Sequence, residues 1–478
     1  MSQGTGMNYR SLAGNMVVAF AAQGISFLAS VAMSLLVPKV LGVETYGYWQ
    51  LFIFYASYSG FFMLGLNDGI YLIEGGNTRG EIDKRAVNSQ FRFGMAFQLV
   101  VAAVIAIIAV VWAPEAQRSF VLLAFALYTV LYNLAGFLGY IFQSMNETKL
   151  FSYSTMIDRL VFLAIILVMV FIRVPDFEPY VFAYLISKAC SLAYCIVRSR
   201  DFFAAGALAL TEAVKLSLSS MKVGFALMIS NVASMLVLGV ARALVDNAWG
   251  IEAFGRVSFW LSMVNFFITF VSQASMVLFP ALRQGTEGER RAFYRFVRDM
   301  MEVTFPVVYL LYFPMAWVLS LWLPQYADTM HYFAILLPVC VFDTKMNLCC
   351  TTYFKVLREE RTLLKVNLCT LAGSIALCTI GVYVIGSLDA VLLGTVACIV
   401  CRSLWSERHL NAKIGVSTTP APIEEVVLTA AFVALALCAP AFVAVLGYLA
   451  LYAAYLVLNR HSARDMLALT KRVLTRGK

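Results

Sequence analysis

Among the ionisable residues inside or at the edge of otherwise apolar stretches are Lys39, Asp68, Arg159, Lys188, Arg242, Asp246, Asp343 and Lys345. A charge among hydrocarbon costs roughly 3 kcal/mol or more, so such a group faces a water-filled cavity or a partner. Lys188 lies mid-stretch with no acid beside it on its own helix. Asp343 and Lys345 are two residues apart and point to different helix faces, which makes mutual neutralisation poor and a cavity the better reading. Asp246 follows Arg242 by four residues, one helical turn, so an i, i+4 pair capping a helix end competes with a cavity role there. Asp158 and Arg159 begin an apolar stretch, where snorkelling to the interface is the plain reading. A cavity lined by Lys188, Lys345 and Arg242 would hold more cations than acids and attract anions, phosphate above all.

The sequence offers little for other chemistry. It has no G-x-x-x-x-G-K-[ST] phosphate loop, and its three histidines, His331, His409 and His461, are too far apart for a metal cluster. Neither a cofactor nor a metal is expected. All ten cysteines fall from Cys190 onward in apolar stretches; the adjacent Cys349 and Cys350 point apart on a helix and read as packing residues. Outer loops are short, which disfavours a membrane polymerase or ligase, and no enzyme is expected.

The elements that must position these residues are membrane spans. Of 478 residues 61% are hydrophobic and 13% charged, and mean hydropathy is +0.81, far from a soluble composition. Apolar runs long enough to cross about 30 Å of hydrocarbon recur almost end to end. They predict an all-α polytopic membrane protein of about fourteen spans, in two six-helix lobes plus two C-terminal helices, with Pro440 splitting the last apolar stretch. The predicted domains are residues 1–200, an amphipathic interfacial linker over 201–220, a second lobe over 221–413, the extra pair over 424–459 and a basic tail over 460–478. The first apolar run lacks a cleavage signature and is expected to stay in the protein. With both termini inside, 29 of the 36 Lys and Arg residues fall on the inner side, as the positive-inside rule requires. The net charge of +9 follows from this asymmetry and from acidic inner-leaflet lipid, so no nucleic-acid partner is expected. Most Tyr and Trp near span ends read as an interfacial belt.

An internal repeat is visible. Gly42-Val43-Glu44-Thr45-Tyr46-Gly47 matches Gly250-Ile251-Glu252-Ala253-Phe254-Gly255, and Phe142 to Lys149 echoes Phe354 to Arg361. Each pair falls on the same helix number and membrane side, which implies a duplication about an axis along the membrane normal.

With this architecture and the phrase Pro38-Lys39-Val40-Leu41-Gly42-Val43-Glu44-Thr45-Tyr46-Gly47-Tyr48-Trp49, the chain resembles the polysaccharide and O-antigen flippases. These belong to the multidrug, oligosaccharidyl-lipid and polysaccharide exporter superfamily. The resemblance covers nearly the whole chain. It implies two lobes around a cationic lumen that takes the pyrophosphate and sugars of a polyprenyl-linked oligosaccharide across a bacterial inner membrane by alternating access. It also implies the energy of an ion gradient or the membrane potential. Lys39 matches the family's basic position after helix one and Arg242 one in helix seven; the acid that commonly precedes the latter is Ala241 here. That leaves Asp68, Asp246 and Asp343 as candidates for ion coupling, and Lys188, Arg242, Lys345, Lys39 and Arg159 for the substrate. Expected partners are the lipid-linked substrate, membrane lipids and a polysaccharide polymerase complex. A multidrug extruder and a peptidoglycan-precursor flippase are the alternative readings.

Overall fold

In hydrocarbon a backbone can pair only with itself, and the chain is helical almost throughout, with no strand among the described residues. The structure, a computed structural model, describes residues 9–113, 115–284, 287–416 and 421–459. The predicted basic tail over 460–478 lies outside them. Contacts divide the chain into two compact units, Met1–Val232 and Ala233–Lys478.

The first unit opens with α1 (Tyr9–Val31), which runs through a π-helical turn, Ala32–Leu36, into α2 (Val37–Val40). Gly42, in extended backbone, separates it from α3 (Val43–Ser57). The predicted second span is not one helix: α3 tightens into a 3-10 turn, Ser59–Met63, and breaks at Leu64 and Gly65, both left-handed, before α4 (Leu66–Ile73). α5 (Lys84–Trp112) starts at Asp83, whose carboxylate accepts from the backbone N–H groups of Arg85 and Ala86. Then come α6 (Ala116–Ser144), α7 (Thr148–Phe171), α8 (Glu178–Arg198) and α9 (Arg200–Ala204). Residues 201–220, expected to form an interfacial linker, carry most of α9 and the start of α10 (Leu210–Gln284), a long helix. Arg79 ties the connections together, pairing with Glu147 at 2.6 Å and Asp201 at 2.8 Å.

α4 and the foot of α10 cross at backbone contact. A Cβ on Gly69 would stand 1.8 Å from the Ser220 carbonyl oxygen, and one on Gly224 would stand 2.0 Å from that of Gly65. This is the small-xxx-small packing of membrane helices, in which missing side chains let two backbones touch. Gly69→Ala should therefore lower stability by about 1–3 kcal/mol, the usual cost of overpacking, read as an earlier thermal transition in detergent. A transition unmoved from wild type would mean that the crossing is loose.

In the second unit, α10 is broken at Gly250, which has φ 80° and ψ −174°. α11 (Glu287–Thr304), a 3-10 segment over Phe305–Leu311 and α12 (Tyr312–Trp322) follow, then α13 (Met330–Lys345), which passes through a π turn, Met346–Thr351, into α14 (Thr352–Val356). α15 (Glu360–Ile380) and α16 (Leu388–Ile414) complete the lobe, and α17 (Ala421–Cys438) and α18 (Ala441–Leu458) form the C-terminal pair. Pro440 stands at the N-cap of α18, as its missing N–H dictates. The Phe305–Leu311 segment, opened by Pro306, leaves helix carbonyls short of donors. The Tyr448, Tyr452 and Tyr455 hydroxyls of α18 donate to the carbonyls of Pro306, Val303 and Glu302 at 2.8, 2.7 and 3.0 Å. The C-terminal pair thus satisfies backbone that lipid could not.

The repeat noticed in the sequence recurs as geometry. Gly42 and Gly250 each mark a break between two helices, the first in extended backbone and the second at positive φ. Asn146 and Arg358 both take left-handed backbone, at φ 59° and 57°. In the same two turns the amides of Glu147 and Glu359 donate to the carbonyls of Phe142 and Phe354, each at 2.8 Å. Eleven stretches among the described residues are long and apolar enough to cross a membrane. The difference from the predicted fourteen lies where the second span is broken, where the seventh and eighth merge in α10, and at α17.

Candidate functional site

Within the first unit, α6, α7 and α8 line an open cavity of about 350 Å³. α6 contributes Tyr132, Gly136, Tyr140 and Gln143; α7 brings Asp158 and Arg159 one to two turns in from Ser154, and α8 brings Lys188. The Lys188 ammonium donates to Asp158 Oδ2 at 2.7 Å, and Ser187 Oγ donates to Oδ1 at 3.0 Å. Asp158 is buried, not snorkelling to an interface as its position at the start of a span suggested. Arg159 comes only to 4.0 Å from the same carboxylate, and its Nε is buried without a hydrogen-bond partner. The Lys188 ammonium also lies 5.6 Å from the centre of the Tyr132 ring. Two cations thus face one acid in this cavity, and the surplus charge is the Arg159 guanidinium.

Gly136 lines the wall where a Cβ would come 3.2 Å from the Asn67 amide nitrogen. Asp68, next in the chain, makes no ion pair among the described residues; it acts electrostatically on the hydroxyls of Tyr132 and Tyr140 without lining the cavity. Lys39 is exposed on α2. Arg242 donates from Nε to Ser258 Oγ at 3.1 Å and lies 4.9 Å over the Phe254 ring, with Asp246 one turn further along α10.

Lys345 is placed differently from the sequence expectation. It is fully buried and held by Glu407 at 2.6 Å and Glu425 at 2.8 Å, where a cavity wall was expected. Asp343 likewise pairs with Arg402, which also donates to Ser234 Oγ at 2.8 Å. Sequence reasoning missed Arg402, Glu407 and Glu425, because each lies near the end of a span and reads as a loop charge. The Lys188–Asp158 pair had one legible signal. α7 and α8 form a tight hairpin, and the two residues lie at comparable depth from its connection.

No family model matches the chain, and no curated protein sequence does. Solved structures do. An inward-facing multidrug resistance MATE family transporter of the MOP superfamily superposes with a TM-score of 0.56 over 84% of this chain and 99% of its own, at 11% identity. A MATE structure in the straight conformation gives 0.54 over 84% and 95%, at 12% identity. The lipid II flippase MurJ, in an inward closed conformation, gives 0.55 over 95% of this chain and 99% of its own, again at 11% identity. The chain has the fold of these transporters. Its relatives by fold move molecules and are not enzymes, and the chain is a multi-pass membrane protein.

Proposed function

We propose that the protein is a flippase that carries a polyprenyl-pyrophosphate-linked oligosaccharide across a bacterial inner membrane by alternating access, with both termini on the cytoplasmic side. The observation that carries this reading is the surplus cation in the α6–α7–α8 cavity. A guanidinium lining the cavity with its charge not fully neutralised suits a pyrophosphate, whereas the organic cations taken by a drug exporter call for a surplus acid. The flanking Tyr132 and Tyr140 offer rings and hydroxyls to sugars. Length adds support, since the lipid II flippase fold accounts for 95% of the chain and the MATE folds for 84%. The remaining candidates, Lys39, Arg242 and the acids Asp68, Asp246 and Asp343, keep their substrate and coupling roles as part of this proposal, as does contact with a polysaccharide polymerase complex.

The test is transbilayer movement of a lipid-pyrophosphate-linked oligosaccharide in proteoliposomes of the purified protein. Movement above protein-free vesicles is expected. Export of an organic cation with no movement of the lipid would install the drug-exporter reading instead. Movement of a peptidoglycan precursor in preference to a polysaccharide repeat unit would change the cargo and keep the chemistry.

A further inference from the structure

The second unit buries more negative charge than it neutralises. Lys345 touches two carboxylates, Glu407 of α16 and Glu425 of α17, and a third, Glu302 of α11, faces the same ammonium. The residues concerned are 0 to 2% exposed. Arg298 is the other cation in reach of Glu302, at 3.7 Å, and it is engaged by Asp299 at 2.8 Å. Two cations therefore stand against three deeply buried acids, with Asp299 at the rim. Oε1 of Glu407 and Oε1 of Glu425 find no hydrogen-bond donor. The other groups facing the cluster do not change the sum: Tyr294 of α11 with Cys349 and Cys350, and Tyr309 and Tyr455 from the 3-10 segment and α18. An uncompensated carboxylate in a low-dielectric site takes up a proton rather than stay charged.

The duplication supplies a comparison inside the same molecule. At the corresponding depth the first unit, whose α6 lacks the π turn that follows Lys345, buries the neutral pair Asn133 and Leu134. Asn133 is also fully buried, and its amide donates to the Ser59 carbonyl and to Gln98 Oε1, both at 2.9 Å. The fold therefore packs this position with neutral groups in one half. Charge in the other half is not a packing requirement, and it carries a surplus acid that a neutral pair would avoid.

We infer that the Lys345–Glu407–Glu425 cluster, with Glu302 beside it, is a proton-binding site whose loading and release couple transport to the pH gradient across the membrane. This rests on the transporter reading above and assigns it a coupling ion. Loaded, one carboxyl of the cluster holds the proton and the Lys345 ammonium balances the other. On release the O–H bond breaks, its electron pair stays on the carboxylate oxygen, and the proton passes to water. The cluster then carries an extra negative charge that favours a more hydrated arrangement.

The site is read by infrared difference spectroscopy of the full-length protein in lipid across a pH series. Wild type should show a carboxylic-acid C=O band that shifts in D2O and disappears as pH rises. Glu425→Gln and Glu407→Gln should each diminish or abolish that band, and Glu359→Gln, which pairs with exposed Lys413 outside the cluster, should leave it. Two variants guard against one failing to fold. In proteoliposomes, an imposed pH gradient should accelerate lipid-linked oligosaccharide movement by wild type and not by either glutamine variant. A wild type with no titrating carboxylic-acid band, or a band unchanged in both variants, overturns the proposal, as does movement of the lipid that ignores the gradient. A band that titrates as expected, in a protein that moves no lipid-linked oligosaccharide but exports another solute under the gradient, upholds the proton site and overturns the flippase reading.

Discussion

Arg159→Ala should weaken binding of a lipid-pyrophosphate-linked oligosaccharide by roughly ten- to a hundredfold, the loss of one charge-assisted hydrogen bond worth about 1.5–3 kcal/mol. The reason is arithmetic at the cavity. Lys188 and Asp158 neutralise each other at 2.7 Å, so the charge left to meet an anion belongs to Arg159. Arg159→Lys should fall between, because an ammonium keeps the charge and loses the planar fork. Lys188→Ala should also abolish the surplus, and it leaves Asp158 facing Arg159 and Ser187 alone. The double variant Lys188→Ala, Asp158→Ala restores the cationic sum and should recover part of the binding. Binding of the headgroup to protein in nanodiscs checks the series. Equal affinities for wild type and Arg159→Ala would remove the cavity from the substrate path.

Lys345→Ala should be the most damaging single change to stability, at roughly 3–5 kcal/mol, because it strands two buried glutamates. The triple variant Lys345→Met, Glu407→Gln, Glu425→Gln removes every charge from the cluster and should regain most of that loss, since apolar or neutral replacements of buried ion clusters are tolerated far better than broken ones. Thermal unfolding in detergent, with the monodisperse fraction on a sizing column, reads both. If Lys345→Ala melts with wild type, the ion pairs are not formed in the folded protein.

The helical, membrane-spanning fold was legible because hydropathy and run length are properties of the chain alone, and lipid leaves the backbone few alternatives. The duplication was legible in two short phrases, one of them resolved here as paired left-handed turns at Asn146 and Arg358. Partnerships between helices were not. Only their matched depth on the α7–α8 hairpin points from Lys188 to Asp158, thirty residues earlier, as its partner. Asp343 and Lys345 were rightly separated by face, yet each face turned out to carry a partner, Arg402 and the two glutamates respectively. Charges near span ends were read as interfacial, but α16 runs for 27 residues, long enough to fold Arg402 and Glu407 into the interior. The break at Leu64 and Gly65 escaped detection because the apolar pattern runs through it unbroken, and only the left-handed backbone reveals it.

The Lys345 cluster also sets an order of events during synthesis. The helix that carries the lysine leaves the ribosome 80 residues before Glu425 exists. At about 5–20 residues per second, the gap is roughly 4–16 seconds. Glu302 is already made and Glu407 arrives within that interval, so the nascent cluster lacks its last carboxylate, whereas the neutral groups around Asn133 meet Ser59 and Gln98, both already made. The second half of the chain therefore completes its buried charge cluster late, and truncation between residues 407 and 425 should leave that cluster one carboxylate short and less stable.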